Sequence, residues 1–194
     1  MTGSPPLLLA MSTSSPALSI ALVAGGQVLA RRHDLIGRGH AEALVPGIAG
    51  LLAGQPRPQG IVVDIGPGSY TGIRIGIAAA RALGLAWGVP VHGVSALALV
   101  AAQAFAAAPA LAAVLAVIDA GRGQPVGGVV ARDFIMPAAR VVASLPPDMA
   151  VAGAGTLLLA PDGPALHHSH PDTGFAGLVP PAAFGQPAAL YLDD

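Results

Sequence analysis

The 194-residue chain has no cysteine and no lysine, a single glutamate (Glu42), and only 10% charged residues. Without cysteine there is no disulfide framework, no thiolate zinc site and no cysteine nucleophile. Without lysine there is no Walker A loop, which needs Gly-Lys-Ser/Thr. All nine basic residues are arginine, and the net charge of −1 excludes a chain that grips nucleic acid through a strong basic field of its own. The first thirty residues carry no positive charge and so lack the basic start of a secretory signal. Together with the absence of cysteine, this predicts a cytoplasmic protein.

Apolar residues make up 54% of the chain, which excludes disorder. The length allows one domain or two small ones and buries about 70% of the unfolded surface. No charge falls between Arg81 and Asp119, and Val94–Ile118 is long enough to span a bilayer. That stretch is mostly alanine, however, and Gln103 and Pro109 interrupt it. It parses better as a helix over 95–107, a break at Pro109, and a buried strand from Leu111 to Ile118.

The chain opens as a strand meander: Leu7–Met11, a polar turn at Ser12–Pro16, Ala17–Val23, a Gly25-Gly26 turn, and Val28–Leu35. Residues 39–53 carry Ala41, Leu44, Val45, Ile48, Leu51 and Leu52 at helical spacing. Pro46 should bend this helix or confine its regular part to the residues after it. Ile61–Ile65 reads as a buried strand, Gly66–Gly72 as a glycine-rich turn, and Ile73–Trp87 as a helix. Val89–Val94 reads as a further strand, with Ser95 as N-cap of the next helix. The resulting β-β-β-α-β-α-β-α order calls for parallel pairing with crossover helices. Beyond Ile118, Pro125–Ala131 reads as a return strand and Val151–Thr156 as a short strand and turn. From Met136 onward proline, glycine and alanine dominate.

Five features bear on chemistry. The turn Gly66-Pro67-Gly68-Ser69-Tyr70-Thr71-Gly72 runs a strand into a helix N-terminus, a setting for phosphate. Its third glycine falls one residue late for the dinucleotide fingerprint, and the alternative is a tight turn capped by Ser69 or Thr71. Gly72, Gly76, Ala80 and Gly84 recur every fourth residue, against helix propensity, so another backbone approaches this face from within the chain or from a second subunit. His40-Ala41-Glu42 lacks the second histidine of a zinc helix, Leu44 standing there, and reads as a cap or surface group. His167, His168 and His170 cluster beside Asp172 in a Pro/Gly-rich loop. Asp64 ends a buried strand, a place where sites are common.

Taken in order, LAMSTSSPALSIAL at Leu9–Leu22, RGHAE at Arg38–Glu42, GPGSYTGIRIG at Gly66–Gly76, VPVHGVSAL at Val89–Leu97 and IDAGRG at Ile118–Gly123 resemble the TsaB (YeaZ) family of bacterial tRNA threonylcarbamoyladenosine biosynthesis proteins. Leu190-Tyr191-Leu192 resembles that family's ending. The resemblance implies an α/β fold of the actin-like ATPase and sugar kinase (ASKHA, ribonuclease H-like) class. Its first lobe would cover residues 1–108 and a shortened second lobe with the C-terminal tail residues 109–194. It further implies a non-catalytic scaffold that pairs with TsaD, is joined by the ATPase TsaE, and meets tRNA through the complex. ATP and Mg would be handled by the partner subunits, with no cofactor tightly bound to this chain. Pairing would use the helices at 39–53 and 72–87, through His40, Ala41, Leu44, Val45, Ile48, Gly72, Ile73, Gly76, Ala80, Leu83 and Gly84, and a homodimer would compete for the same surface. Ser12, Gly66, Gly68, Ser69 and Thr71 would form a nucleotide-proximal loop. The family fold carries an aspartate where this chain has Ser12, which argues against independent phosphoryl transfer. The paired-histidine metal motif of TsaD is absent. The competing readings are an ATP-binding small-molecule kinase or acyltransferase of the same fold, and a homodimeric structural module.

Overall fold

The computed structural model describes residues 4–121, 123–135 and 138–190. Arg122 of the IDAGRG segment, Met136, Pro137, and Tyr191 and Leu192 of the tail lie outside the described residues. Strands β1 (Leu7–Ser12), β2 (Ala17–Ala24) and β3 (Gln27–Leu35) form the antiparallel meander, and β4 (Gly60–Asp64) and β5 (Val91–Val94) join β1 in parallel. The resulting sheet has the order β3-β2-β1-β4-β5. Gly25 and Gly26 both have positive φ, 55° and 81°. Such a turn twists in the sense of its flanking strands and so closes the β2–β3 hairpin.

The two faces of this sheet are covered differently. Leu9 and Met11 of β1, Leu18, Ile20 and Leu22 of β2, and Ile61 and Val63 of β4 pack against helices α1 (His40–Leu52) and α2 (Tyr70–Trp87). The alternate residues Ala10 and Val62 face the opposite way, into a core built around helix α3 (Ala96–Ala107). This is the period-two alternation of a strand buried on both sides.

Helix α3 also packs on the second sheet, made of β6 (Ala113–Asp119), β7 (Pro125–Ala131), β8 (Arg140–Val141) and β9 (Val151–Ala152) in the order β8-β7-β6-β9. Its alanine-rich surface is buried almost all round, which explains an apolar run with no polar stripe. Among the described residues, no helix is long and apolar enough to cross a membrane. The architecture is the mixed α/β one expected from the sequence, built on two sheets, the second with outer strands two residues long. Past β9 the chain returns to the first sheet. A 3-10 helix at Thr173–Leu178 packs on β2, Gly185 bridges to Gly93 at the β5 edge, and Leu190 N–H donates to Ile65 O at 2.8 Å.

Two local expectations change. Helix α1 is regular from His40, six residues ahead of Pro46, so the proline does not confine it to the residues that follow. Pro46 is solvent-exposed, where ring and missing donor are best tolerated. Helix α2 starts at Tyr70, because Ser69 Oγ accepts from Gly72 N–H and pulls the helix start into the glycine-rich segment. Ser95 caps α3 as expected, accepting from Leu97 N–H.

Candidate functional site

The β1–β2 turn, the end of β4 and the start of α2 meet at one buried carboxyl. Ser12 Oγ and Ser14 Oγ donate to Asp64 Oδ2 at 2.6 and 2.5 Å, and Gly66 N–H donates to Oδ1 at 2.8 Å. Burial raises the Asp64 pKa above the ordinary carboxylate range, against the downward pull of these three bonds. Both oxygens are engaged inside the protein. The surrounding loop is locked as well: Ser69 N–H donates to Ser14 O, Thr13 Oγ1 donates to Gly72 O, and Ser95 Oγ and Ala96 N–H both donate to Gly66 O.

Immediately outside this knot lies a cleft of about 610 Å³, lined by Thr13–Pro16, residues 37–42, Ser69, Thr71, Gly72 and Ile75 of the first lobe and by Asp119 and Gly121 of the second. The N-termini of α1 and α2 both open onto it, bringing two positive dipole ends together. Gly39, the α1 N-cap, has φ 85° and offers no side-chain cap. Arg38, Glu42 and Asp119 contribute charge of both signs, and Asp119 Oδ1 is held by Gly121 N–H. Among the described residues, no group of three or more His, Asp or Glu side chains is placed to hold a metal.

Of the residues read as nucleotide-proximal, Ser69 and Thr71 line the cleft. Ser12, Gly66 and Gly68 do not. Ser12 is fully buried on Asp64, and Gly68 packs against the Ser14 backbone. The run Ser12–Ser15, read from its composition as a polar turn, is buried throughout. Its partner Asp64 is 52 residues from Ser12, a separation that no local pattern reports.

The pairing residues divide more sharply. The stripe Gly72, Gly76, Ala80 and Gly84 faces inward. A Cβ on Gly72 would run into Thr13 O, one on Gly76 would lie 2.7 Å from Thr13 Oγ1, and one on Gly84 would collide with Val91. The neighbour that needs small residues is therefore this chain's own first sheet, and the subunit-contact reading of the stripe gives way to the intrachain one. Leu44, Ile48 and Ile73 likewise belong to the buried core, and Leu83 is half-buried against it. Ala41 and Val45 on α1 face solvent, Val45 with 57% of its surface open. The outer face of α2 presents Arg74, Ala78, Arg81, Ala82 and Leu85, the last 87% exposed. His40 is only 9% exposed, with Nε2 buried and unpartnered, rather than a surface cap.

The histidine cluster is partly ordered by hydrogen bonds. His168 Nδ1 lies 2.7 Å from Thr156 Oγ1, and His167 Nδ1 accepts from Ser169 N–H. Asp172, which caps the following 3-10 helix through Gly174 N–H, pairs with Arg31 on β3.

A family model described as "TsaD: tRNA N6-adenosine threonylcarbamoyltransferase" matches residues 34–152. The tRNA threonylcarbamoyladenosine biosynthesis protein TsaB of Bacillus subtilis is 37% identical over 100 residues, half of this chain and 44% of that protein. Its Escherichia coli counterpart is 36% identical over 121 residues, 60% of this chain and 52% of that protein. An uncharacterized Mycobacterium tuberculosis protein is 37% identical over 109 residues, 50% of this chain and 48% of that protein. The chain thus spans about half the length of the curated relatives it matches. Among solved structures, YeaZ from Pseudomonas aeruginosa superimposes with a TM-score of 0.76 at 27% identity, covering 96% of this chain and 100% of that one.

Proposed function

We propose, from the premise that the chain belongs to the TsaD family and to its TsaB (YeaZ) branch, that it is a non-catalytic subunit of the machinery that threonylcarbamoylates adenosine in tRNA. It would act in the cytoplasm, pairing with a TsaD-like enzyme and joined by a TsaE-like ATPase. The partners would handle ATP and Mg, and tRNA would meet this chain only through the complex. The observation that carries the reading is the state of Asp64. The Asp64 carboxyl at the end of β4 is closed over by Ser12, Ser14 and Gly66, and the position where the fold's aspartate is expected holds Ser12. A carboxylate with both oxygens occupied inside the protein is in no position to ligate a metal–nucleotide complex or to accept a proton from a substrate.

The pairing surface in this proposal is the outer side of α1 and α2, centred on Ala41, Val45, Ala78 and Leu85, with Arg74 and Arg81 alongside. Exposed apolar side chains on two adjacent helices form a surface suited to helix–helix docking. A second copy of this chain would compete for it. The test is co-purification with a TsaD-like subunit followed by nucleoside analysis of tRNA from cells lacking the chain. Loss of the modified adenosine together with a stable pair supports the proposal, and a level of modified adenosine that is unaffected by the deletion contradicts it. Titration of the isolated chain with Mg-ATP addresses the kinase alternative, which requires tight stoichiometric binding.

A further inference from the structure

Helix α1 enters the cleft with donors to spare. Its first bond runs from Ala43 N–H to Gly39 O at 3.0 Å, and Gly39 brings no side chain to meet the N–H groups of His40, Ala41 and Glu42 ahead of it. Helix α2 opens onto the same cleft with its end already capped, Ser69 Oγ accepting from Gly72 N–H. The space beside the α1 end is open. A Cβ built on Gly37 would meet nothing within 4 Å, and one on Gly39 would meet the Glu42 carboxylate, with Oε2 3.8 Å away.

A second observation, independent of the helix end, points to the same place. His40 lines the cleft although it is only 9% exposed, and its Nε2 is buried with no hydrogen-bond partner among the described residues. Leaving a buried ring nitrogen unpaired costs stability, and a neutral imidazole that carries its proton on Nε2 is a donor there. Arg38, exposed on the same rim, adds a permanent positive charge. Backbone amides, an imidazole and a guanidinium thus share one corner of the cleft. Two acids also line it. Asp119, from the second lobe, has Oδ1 engaged by Gly121 N–H. Glu42 is exposed, so its carboxylate is free to swing into water.

We propose that this corner is an oxyanion site, taking the phosphate or carboxylate group of a small molecule at the N-terminus of α1, with Arg38 and His40 as its side-chain donors. The free amides and the positive end of the helix dipole attract the negative group. Arg38 offers a charge-assisted donor pair, and the anion gives His40 Nε2 the acceptor it lacks. Glu42 is the competitor: its carboxylate stands beside Gly39 while the site is empty and moves into solvent when the anion binds. The site uses neither Asp64 nor a metal, so it stands or falls separately from the kinase alternative.

Titration of the full chain with inorganic phosphate, and separately with acetate, at constant ionic strength tests this by NMR. The Ala41 and Glu42 amides and the His40 ring should shift saturably with at least one of the two anions and not with chloride. Earlier saturation by phosphate identifies a phosphoryl group as the one the site takes, and earlier saturation by acetate a carboxylate. His40→Ala should weaken binding of the better anion about tenfold, whereas Glu42→Gln should strengthen it. A linear drift without saturation, an equal response to chloride, or unchanged affinity in either variant overturns the proposal. If His40→Ala does not fold, Arg38→Ala at its exposed position takes its place: weaker binding supports the site, and unchanged affinity overturns it.

Discussion

Asp64 makes its own case at the scale of one residue. Three donors converge on it, so Asp64→Ala strands two buried hydroxyls and a buried N–H. The expected cost is about 3 kcal/mol or more, at roughly 1–3 kcal/mol for each unsatisfied buried group. Asp64→Asn keeps an acceptor for Gly66 N–H, and the Ser12 and Ser14 hydroxyls can rotate to accept from the new amide. It should cost less than the alanine, as measured by denaturant unfolding at pH 7. The pH dependence has a defined sign. Because burial raises the Asp64 pKa, the folded chain holds that proton more tightly than the unfolded one. Stability from this group is therefore greatest at low pH and declines as pH rises from about 4 through the raised pKa. The gap between the parent chain and Asp64→Asn should shift in favour of the variant from pH 4.5 to 7, and a constant gap would rule this out. The inward stripe gives a second prediction at this scale. Gly76→Leu and Gly72→Ala place atoms against Thr13 and should destabilise the isolated chain by about 1–3 kcal/mol, seen as a lower melting temperature before any partner is added.

Helices α1 and α2 bury one side and leave the other open, and the two sides predict opposite phenotypes. Val45→Arg and Leu85→Arg change exposed positions, so each should leave the melting temperature of the isolated chain nearly unchanged while weakening capture of a TsaD-like partner in a pull-down. Leu44→Ala empties a fully buried site and should cost about 2–5 kcal/mol whether or not a partner is present. If Val45→Arg and Leu85→Arg leave capture intact, another face of the molecule does the pairing. At this scale much of the fold was legible in advance. The Gly25-Gly26 turn, the Ser69 and Ser95 caps, and the return strand Pro125–Ala131 all follow from short-range chemistry that the chain carries locally. The orientation of α2 was not legible. A repeat of small residues states that something approaches closely, but whether that is the β1–β2 turn and β5 of the same chain or another subunit depends on tertiary packing. The same holds for the Ser12–Asp64 bond, since a serine turn looks identical in sequence whether it is solvated or wired to a carboxylate.

For the molecule as a whole, low charge and high apolarity arise largely from a helix buried between two sheets and from strands covered on both faces. The 10% charged residues are concentrated away from these interiors, and the edge strand β3 carries Arg31, Arg32, His33 and Asp34, which discourages unwanted strand pairing. The cleft beside Asp64 is open while the carboxyl behind it is sealed by Ser12, Ser14 and Gly66. The most direct measurement reconstitutes threonylcarbamoylation of tRNA from a TsaD-like enzyme and a TsaE-like ATPase, with and without this chain. The account predicts modified adenosine only when the chain is present, and activity retained by Asp64→Asn because its carboxylate takes no part in the chemistry. Modification that proceeds equally well without the chain, or that is abolished by a folded Asp64→Asn variant, would contradict it.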